Sequence, residues 1–153
     1  MKISPIAESR IAEILLVEDN EDDVFLTRAA FEASGLRVNL HHVDNGVKCL
    51  KFLRKEPPYA DTPFPDLILL DMHMPIMGGH DVLNEIVKDE KLRKVPVVVL
   101  TTSSESEDIK RMYHLRCNSY ITKPVSFDNF VKAITALGGY WLTVVVVPDP
   151  AMN

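Results

Sequence analysis

The sequence predicts an α/β domain: a doubly wound parallel sheet of five strands in the order 2-1-3-4-5. Three observations carry this. Short apolar runs alternate five times with longer stretches of helical spacing, and such alternation implies a parallel sheet with helices on both faces. Three of the runs are apolar over four consecutive residues, as in strands covered on both sides. Right-handed crossovers then leave few topologies, of which 2-1-3-4-5 is the commonest for five strands.

In chain order, the strands are expected at Ile14–Val17, Val38–Val43, Leu67–Leu70, Val97–Leu100 and Ser119–Thr122. The stretch from Asp22 to Ala33 holds Val24, Phe25, Ala29 and Phe31 at helical spacing, and Gly35 follows as a stop. Asn45 can cap a helix carrying Val47, Leu50 and Leu53. His80 to Val87 gathers Val82, Leu83, Ile86 and Val87 on one side, and Glu105 to Leu115 spaces Ile109, Met112 and Leu115 three apart. Ser126 can cap a last helix containing Phe127, Phe130, Val131, Ile134 and Leu137. Two segments fall outside the alternation. Lys55 to Asp66 contains four prolines and reads as an extended surface loop. Gly138 to Asn153 follows the last helix and includes Trp141 and the run Val144–Val147.

Composition limits the function classes. The 153 residues fit one domain, at roughly 150 residues per domain. Forty-six per cent apolar and 25% charged residues exclude disorder of the whole chain. No apolar stretch reaches the ~18 residues that cross a bilayer, and Met1–Arg10 lacks the apolar core of a secretory signal. Cys49 and Cys117 lack metal-ligand spacing and suit a reducing cytoplasm. The net charge of −5 argues against a nucleic-acid surface. That surplus has an address: Glu18, Asp19, Glu21, Asp22 and Asp23 lie together, and without them 17 acids of the 22 remain against 17 Lys plus Arg. Such a cluster is ordinarily a solvated loop, but this one follows the first strand.

Ligands of doubly wound sheets bind beyond the carboxyl ends of the strands. Those ends offer Glu18 and Asp19, Asp71, Thr101 and Lys123. Three converging carboxylates repel one another and call for a cation. Oxygen ligands suit a hard ion such as Mg²⁺. An Asp beside that ion, with a hydroxyl and an ammonium opposite, is equipped for attack on phosphorus. Each residue alone has an ordinary explanation as a cap, a satisfied hydroxyl or a solvated lysine. Five of them at one edge do not.

With these residues in place, the sequence resembles the receiver domain of two-component response regulators, a flavodoxin/CheY-like fold. The likeness lies in Ile14-Leu-Leu-Val-Glu-Asp-Asn20, Pro65-Asp-Leu-Ile-Leu-Leu-Asp-Met-His-Met-Pro75, Pro96-Val-Val-Val-Leu-Thr-Thr-Ser103 and Tyr120-Ile-Thr-Lys-Pro124, and it spans nearly all of Ile11 to Leu137. It implies that Asp71 accepts the phosphoryl group and that Glu18, Asp19, Asp71 and the backbone carbonyl of His73 place Mg²⁺. It implies that Thr101 and Lys123 hold the phosphoryl oxygens, with a cis Lys123–Pro124 bond. Thr101 and Tyr120 would form the switch that reports phosphorylation, while His73 and Ser103 would tune the lifetime of the acyl phosphate. On this likeness the activity is Mg²⁺-dependent self-phosphorylation and autodephosphorylation, with no separate effector enzyme. Thr101-Thr-Ser, Tyr120-Ile-Thr-Lys-Pro-Val and Tyr140-Trp-Leu-Thr-Val-Val are similar to the stand-alone regulators that partner cyanobacterial phytochromes. A cytoplasmic phytochrome-type histidine kinase is therefore the expected phosphodonor, and the downstream protein is unknown.

The division that follows is an N-terminal tail at 1–10, a receiver domain at 11–137 and a C-terminal extension at 138–153. The extension, β-prone and apolar, either packs on its own domain or forms a homodimer. Output would be docking around the segment Glu105–Leu115, the fifth strand and the last helix.

Gly78-Gly79 stands where receivers usually have Asp-Gly, so a capping carboxylate is lost while the turn keeps access to positive φ. Arg116 replaces a frequent Gly and should shift the end of the helix before it. His41 and His42, adjacent on a strand, point to opposite faces and cannot share a metal. His80 and His114 have no partner at ligand spacing. Rival readings fail on particular residues. A haloacid-dehalogenase-like phosphatase needs a second Asp where His73 stands, and a flavodoxin-type phosphate loop would not be Glu18-Asp-Asn-Glu-Asp-Asp. A pseudo-receiver that binds partners without phosphorylation is the alternative, although every expected side chain is present.

Overall fold

The computed structural model describes residues 11–101, 119–122 and 126–138. Five parallel strands form one sheet in the order β2-β1-β3-β4-β5. They are β1 (Ala12–Val17), β2 (Val38–Val43), β3 (Leu67–Asp71), β4 (Val97–Thr101) and β5 (Ser119–Thr122). The helices among the described residues are α1 (Glu21–Ser34), α2 (Gly46–Leu53), α3 (Gly79–Lys88) and α4 (Phe127–Leu137), with a 3-10 turn at Leu92–Lys94. The expected helix at Glu105–Leu115, Arg116, and the extension beyond Gly138 lie outside the described residues.

Two cores explain the continuous apolar runs. Along β1, Leu15 and Val17 face one core and Ile14 and Leu16 the other. Period-two alternation therefore sends apolar side chains to both sides of the sheet. Leu15, Val17, Ile68, Leu70, Val97 and Val99 meet α2 and α3 through Leu50, Phe52, Leu53, Val82, Leu83 and Ile86. On the opposite face Ile14, Leu16, Leu67, Leu69, Val98 and Leu100 meet α1 and α4 through Ala30, Phe31, Phe130, Ile134 and Leu137. Burying one Leu or Ile contributes about 1.5–3 kcal/mol. Cys49 is enclosed in the first core, and burial pushes its thiol up to about 12.

The helix ends follow the sequence signals. The side chain of Asn45 accepts from the Lys48 N–H at 2.9 Å, and Ser126 accepts from the Asn129 N–H at 3.2 Å. Gly35 ends α1 in the left-handed region at φ 74°. Asn20 caps α1 by accepting from the Asp23 N–H at 3.0 Å, and Glu21, Asp22 and Asp23 fill the first turn, where the helix dipole favours acids. The start of α1 is thus set by Asn20, ahead of the Asp22 start expected from periodicity.

The proline-rich segment is more built than an extended surface loop. Turns closed by Glu56 N–H to Lys51 C=O and Tyr59 N–H to Glu56 C=O fold it back, and Tyr59 and Phe64 pack on the first core. Its last residue, the buried Asp66, accepts from the Glu13 N–H at 2.8 Å and donates its own N–H to the Glu13 carbonyl at 2.7 Å. The loop is fastened to β1, because a chain re-entering the sheet must satisfy its backbone groups there.

Candidate phosphoacceptor and cation site

Register brings the site together. Val17 pairs with both Val43 and Leu70, and Asp71 pairs with Leu100. Glu18 and Asp71 therefore emerge side by side at the carboxyl edge, one residue past the Val17–Leu70 pair. Glu18 is 0% and Asp71 3% exposed, whereas Asp19 reaches solvent. Each of the three offers a carboxylate oxygen, and these oxygens lie within 4.8 Å of one another. Three acids at that spacing, two of them buried, are stabilised by a hard cation bound through oxygen. The donor set fits a divalent ion.

The backbone aims these side chains. Glu18 donates its N–H to the Val43 carbonyl at 3.0 Å, and its own carbonyl accepts from His42 Nε2 at 2.7 Å. Its carboxylate Oε2 accepts from the Asn20 N–H at 3.2 Å. Past Asp71, the chain turns so that the His73 N–H approaches Asp71 Oδ1 at 3.4 Å, a long contact, and the His73 side chain is exposed.

The turn from Asp71 to α3 departs from expectation in an instructive way. Gly78 is the N-cap of α3 and makes no side-chain cap bond, consistent with the missing carboxylate. Its φ is −78°, so positive φ is not why glycine stands there. Positive φ falls on Ile76 instead, at 69°, inside a three-residue turn closed by Met77 N–H to Pro75 C=O at 2.7 Å. A γ-turn of that hand is rare and strained. Gly79 is required for space: a Cβ there would stand 2.6 Å from the Asp71 carbonyl oxygen and 2.8 Å from Met72 Cα. The first turn of α3 can press against the end of β3 only without a side chain.

Of the remaining expected residues, Thr101 ends β4 and Tyr120 lies on β5, placed by backbone alone. Thr101 pairs with Thr122. Ser103, Lys123, the Lys123–Pro124 bond and His114 lie outside the described residues. Sequence reading missed His42, Asn20 and the spatial role of Gly79. The spacing of Asn20 before Asp23 was a legible capping signal. The contacts of His42 and Gly79 depend on register between distant segments.

Residues 14–135 match the family described as response regulator receiver domain. The chain belongs to that family. It is 38% identical over 138 residues to the probable methanogenesis regulatory protein FilR2 of Methanothrix harundinacea, covering 90% of this chain and 88% of the relative. It is 36% identical over 135 residues to the response regulator Rcp1 of Synechocystis, covering 88% and 92%. Among solved structures, the phosphorylated cyanobacterial phytochrome response regulator RcpA superposes with a TM-score of 0.85 at 37% identity, over 91% of this chain and 99% of that one. The Mn²⁺-bound form of Rcp1 superposes with a TM-score of 0.82 at 35% identity, over 90% and 99%. The receiver family read from the strand-end residues is thus the right one, and phytochrome regulators are among its relatives. FilR2, of comparable identity, is named for methanogenesis rather than for light.

Proposed function

We propose that this receiver accepts a phosphoryl group from a histidine kinase onto Asp71, in a reaction dependent on Mg²⁺. The convergence of Glu18, Asp19 and Asp71 carries this reading. An Asp71 carboxylate oxygen attacks phosphorus, forming an O–P bond as the P–N bond to the donor imidazole breaks. The electron pair stays on that nitrogen, which takes up a proton as it leaves. Water later attacks phosphorus: its oxygen bonds to phosphorus as the Asp71 O–P bond breaks, and the electron pair returns to the carboxylate. Inorganic phosphate leaves after giving up a proton of that water to solvent. This is the autodephosphorylation.

Glu18, Asp19, Asp71 and the His73 carbonyl would hold the cation. The bound ion supplies charge neutralisation on the equatorial oxygens, where phosphoryl transfer needs it. Thr101 and Lys123 would hold those oxygens from the other side, and Thr101 with Tyr120 would report the event as a packing switch. The exposed His73 side chain and Ser103 are assigned to lifetime tuning. A downstream protein docking on this domain would read out that surface change. The likeness to RcpA, a cyanobacterial phytochrome response regulator, supports a phytochrome-type kinase as donor, in the cytoplasm. Residues 138–153 either pack on their own domain or form a homodimer contact; in the second case full-length protein should sediment as a dimer and a chain stopped at Leu137 as a monomer. An unchanged association state would remove the dimer role.

Incubation with a small phosphodonor and Mg²⁺ tests the central reading. Wild type should acquire an acid-stable, base-labile phosphoryl group, and Asp71→Asn should acquire none. A wild type that stays unlabelled would favour the pseudo-receiver.

A further inference from the structure

We propose that His42 is a positioning residue for the cation site: it fixes the junction of β1 and α1 so that Glu18 and Asp19 stay turned toward Asp71. This rests on the cation-dependent reading above and goes beyond it by naming what aims the acids.

The β1–β2 ladder runs to its last pair at Val17 and Val43. Glu18 is the first residue past it, where a chain leaving a sheet ordinarily loses its lateral hold. Here both backbone groups of Glu18 remain tied to β2. Its N–H donates to the Val43 carbonyl at 3.0 Å, and its carbonyl accepts from His42 Nε2 at 2.7 Å. A carbonyl only accepts, so Nε2 carries the proton in this bond. The imidazole extends the ladder by one residue, with a side chain in place of a backbone group.

Two residues on, Asn20 is held from α1 as well as from Glu18. Its side chain caps α1 through the Asp23 N–H at 3.0 Å, and its own N–H donates to Glu18 Oε2 at 3.2 Å. Asp19 is therefore suspended between two anchored residues, a clamp from β2 and a cap from α1. The buried Glu18 carboxylate and the exposed Asp19 carboxylate approach Asp71 from that suspended turn. Releasing the carbonyl frees the turn to rotate, which costs alignment of the acids before it costs the fold. His41, the neighbouring residue, points elsewhere: its Nε2 meets Glu13 Oε2 at 2.6 Å and its ring lies against Phe52.

The two adjacent histidines supply test and control. Mn²⁺ binding is followed by the relaxation of solvent water protons, with thermal unfolding in metal-free buffer as the check on folding. His42→Ala is expected to weaken Mn²⁺ binding by about tenfold or more, the usual effect of losing a group that orients a ligand. His42→Gln, whose amide nitrogen can take the place of Nε2, should recover most of the affinity, while the shorter His42→Asn should not. His41→Ala should bind Mn²⁺ as wild type does. Equal weakening in the Ala and Gln variants, or unchanged affinity in the Ala variant, overturns the role of His42 while leaving the cation site standing. If His42→Ala fails to fold, the Gln and Asn variants carry the test, and equal affinities in those two overturn it. A wild type that takes up no Mn²⁺ overturns the cation site and this inference together.

Discussion

The two ends of the sheet both concentrate acids, and they treat them oppositely. Toward the amino end, each acid has its own neighbour. Glu13 accepts from Asn39 Nδ2 at 3.0 Å and pairs with His41 at 2.6 Å, while Asp66 accepts from the Glu13 backbone at 2.8 Å. At the carboxyl end, Glu18, Asp19 and Asp71 are turned toward one another. The first joins each acid to donors of its own. The second gathers like charge at one point, an arrangement that favours a bound cation. Acid content alone does not mark a site; what the acids face does.

The difference can be broken from either end. The largest effect is expected for Gly79→Ala. Its methyl would meet the Asp71 carbonyl at 2.6 Å, so backbone must move. A loss of about 1–3 kcal/mol in urea unfolding is expected, together with weaker Mn²⁺ binding because the displaced segment carries Asp71. Asp66→Ala, at the other end, removes a buried acceptor from the Glu13 N–H and should cost about 1–3 kcal/mol. Its Mn²⁺ affinity should match wild type. Loss of metal affinity in Asp66→Ala would show that the two ends are coupled, contrary to the separation drawn here.

A smaller effect of opposite sign is expected at Ile76. Its side chain is 83% exposed, and its backbone is left-handed at φ 69°. Ile76→Gly should relieve roughly 1–2 kcal/mol of strain against an entropy cost of about 0.5–1 kcal/mol. The net gain should raise the unfolding midpoint slightly. A lower midpoint would mean that the apolar side chain contributes more than its exposure indicates.

The smallest effect is at the carboxyl end too, one residue past β2, where an acid has its own cation. The Lys48 ammonium, 3.0 Å from Asp44, lowers that carboxyl below its ordinary 3.8 by hydrogen bonding. A depressed carboxyl stabilises the fold fully above its unfolded value, and that contribution is lost as pH falls through the lower folded value. Both side chains are half exposed, so solvent screens the pair. Lys48→Met should move the Asp44 titration, followed by carboxyl NMR, back up toward 3.8 and leave stability at neutral pH nearly unchanged.

Legibility divides along physical lines. The parallel sheet was readable because a strand buried on both faces is apolar at every position, as in Leu67–Leu70, and its order followed from right-handed crossovers. The acid cluster was readable because strand ends collect on one edge whatever the loops do, which put Glu18, Asp19 and Asp71 in view before any distance was known. The proline-rich segment misled, since prolines report local stiffness and not the fastening of Asp66 to Glu13. The glycine pair after Asp71 misled for a related reason. Glycine permits positive φ, but Gly79 is needed for absence of volume, and the strain sits three residues earlier.

By itself, then, the sequence determined the period of each element, the caps at Asn45 and Ser126, and the set of acids available at one edge. These depend on interactions within a few residues or on a repeating pattern. Only the tertiary structure decided that His42 holds Glu18, that His41 holds Glu13, and that α3 touches the end of β3 at Gly79. Alternation sends neighbouring side chains to opposite faces, but what waits on each face is set by strand register, and register is a property of the whole sheet.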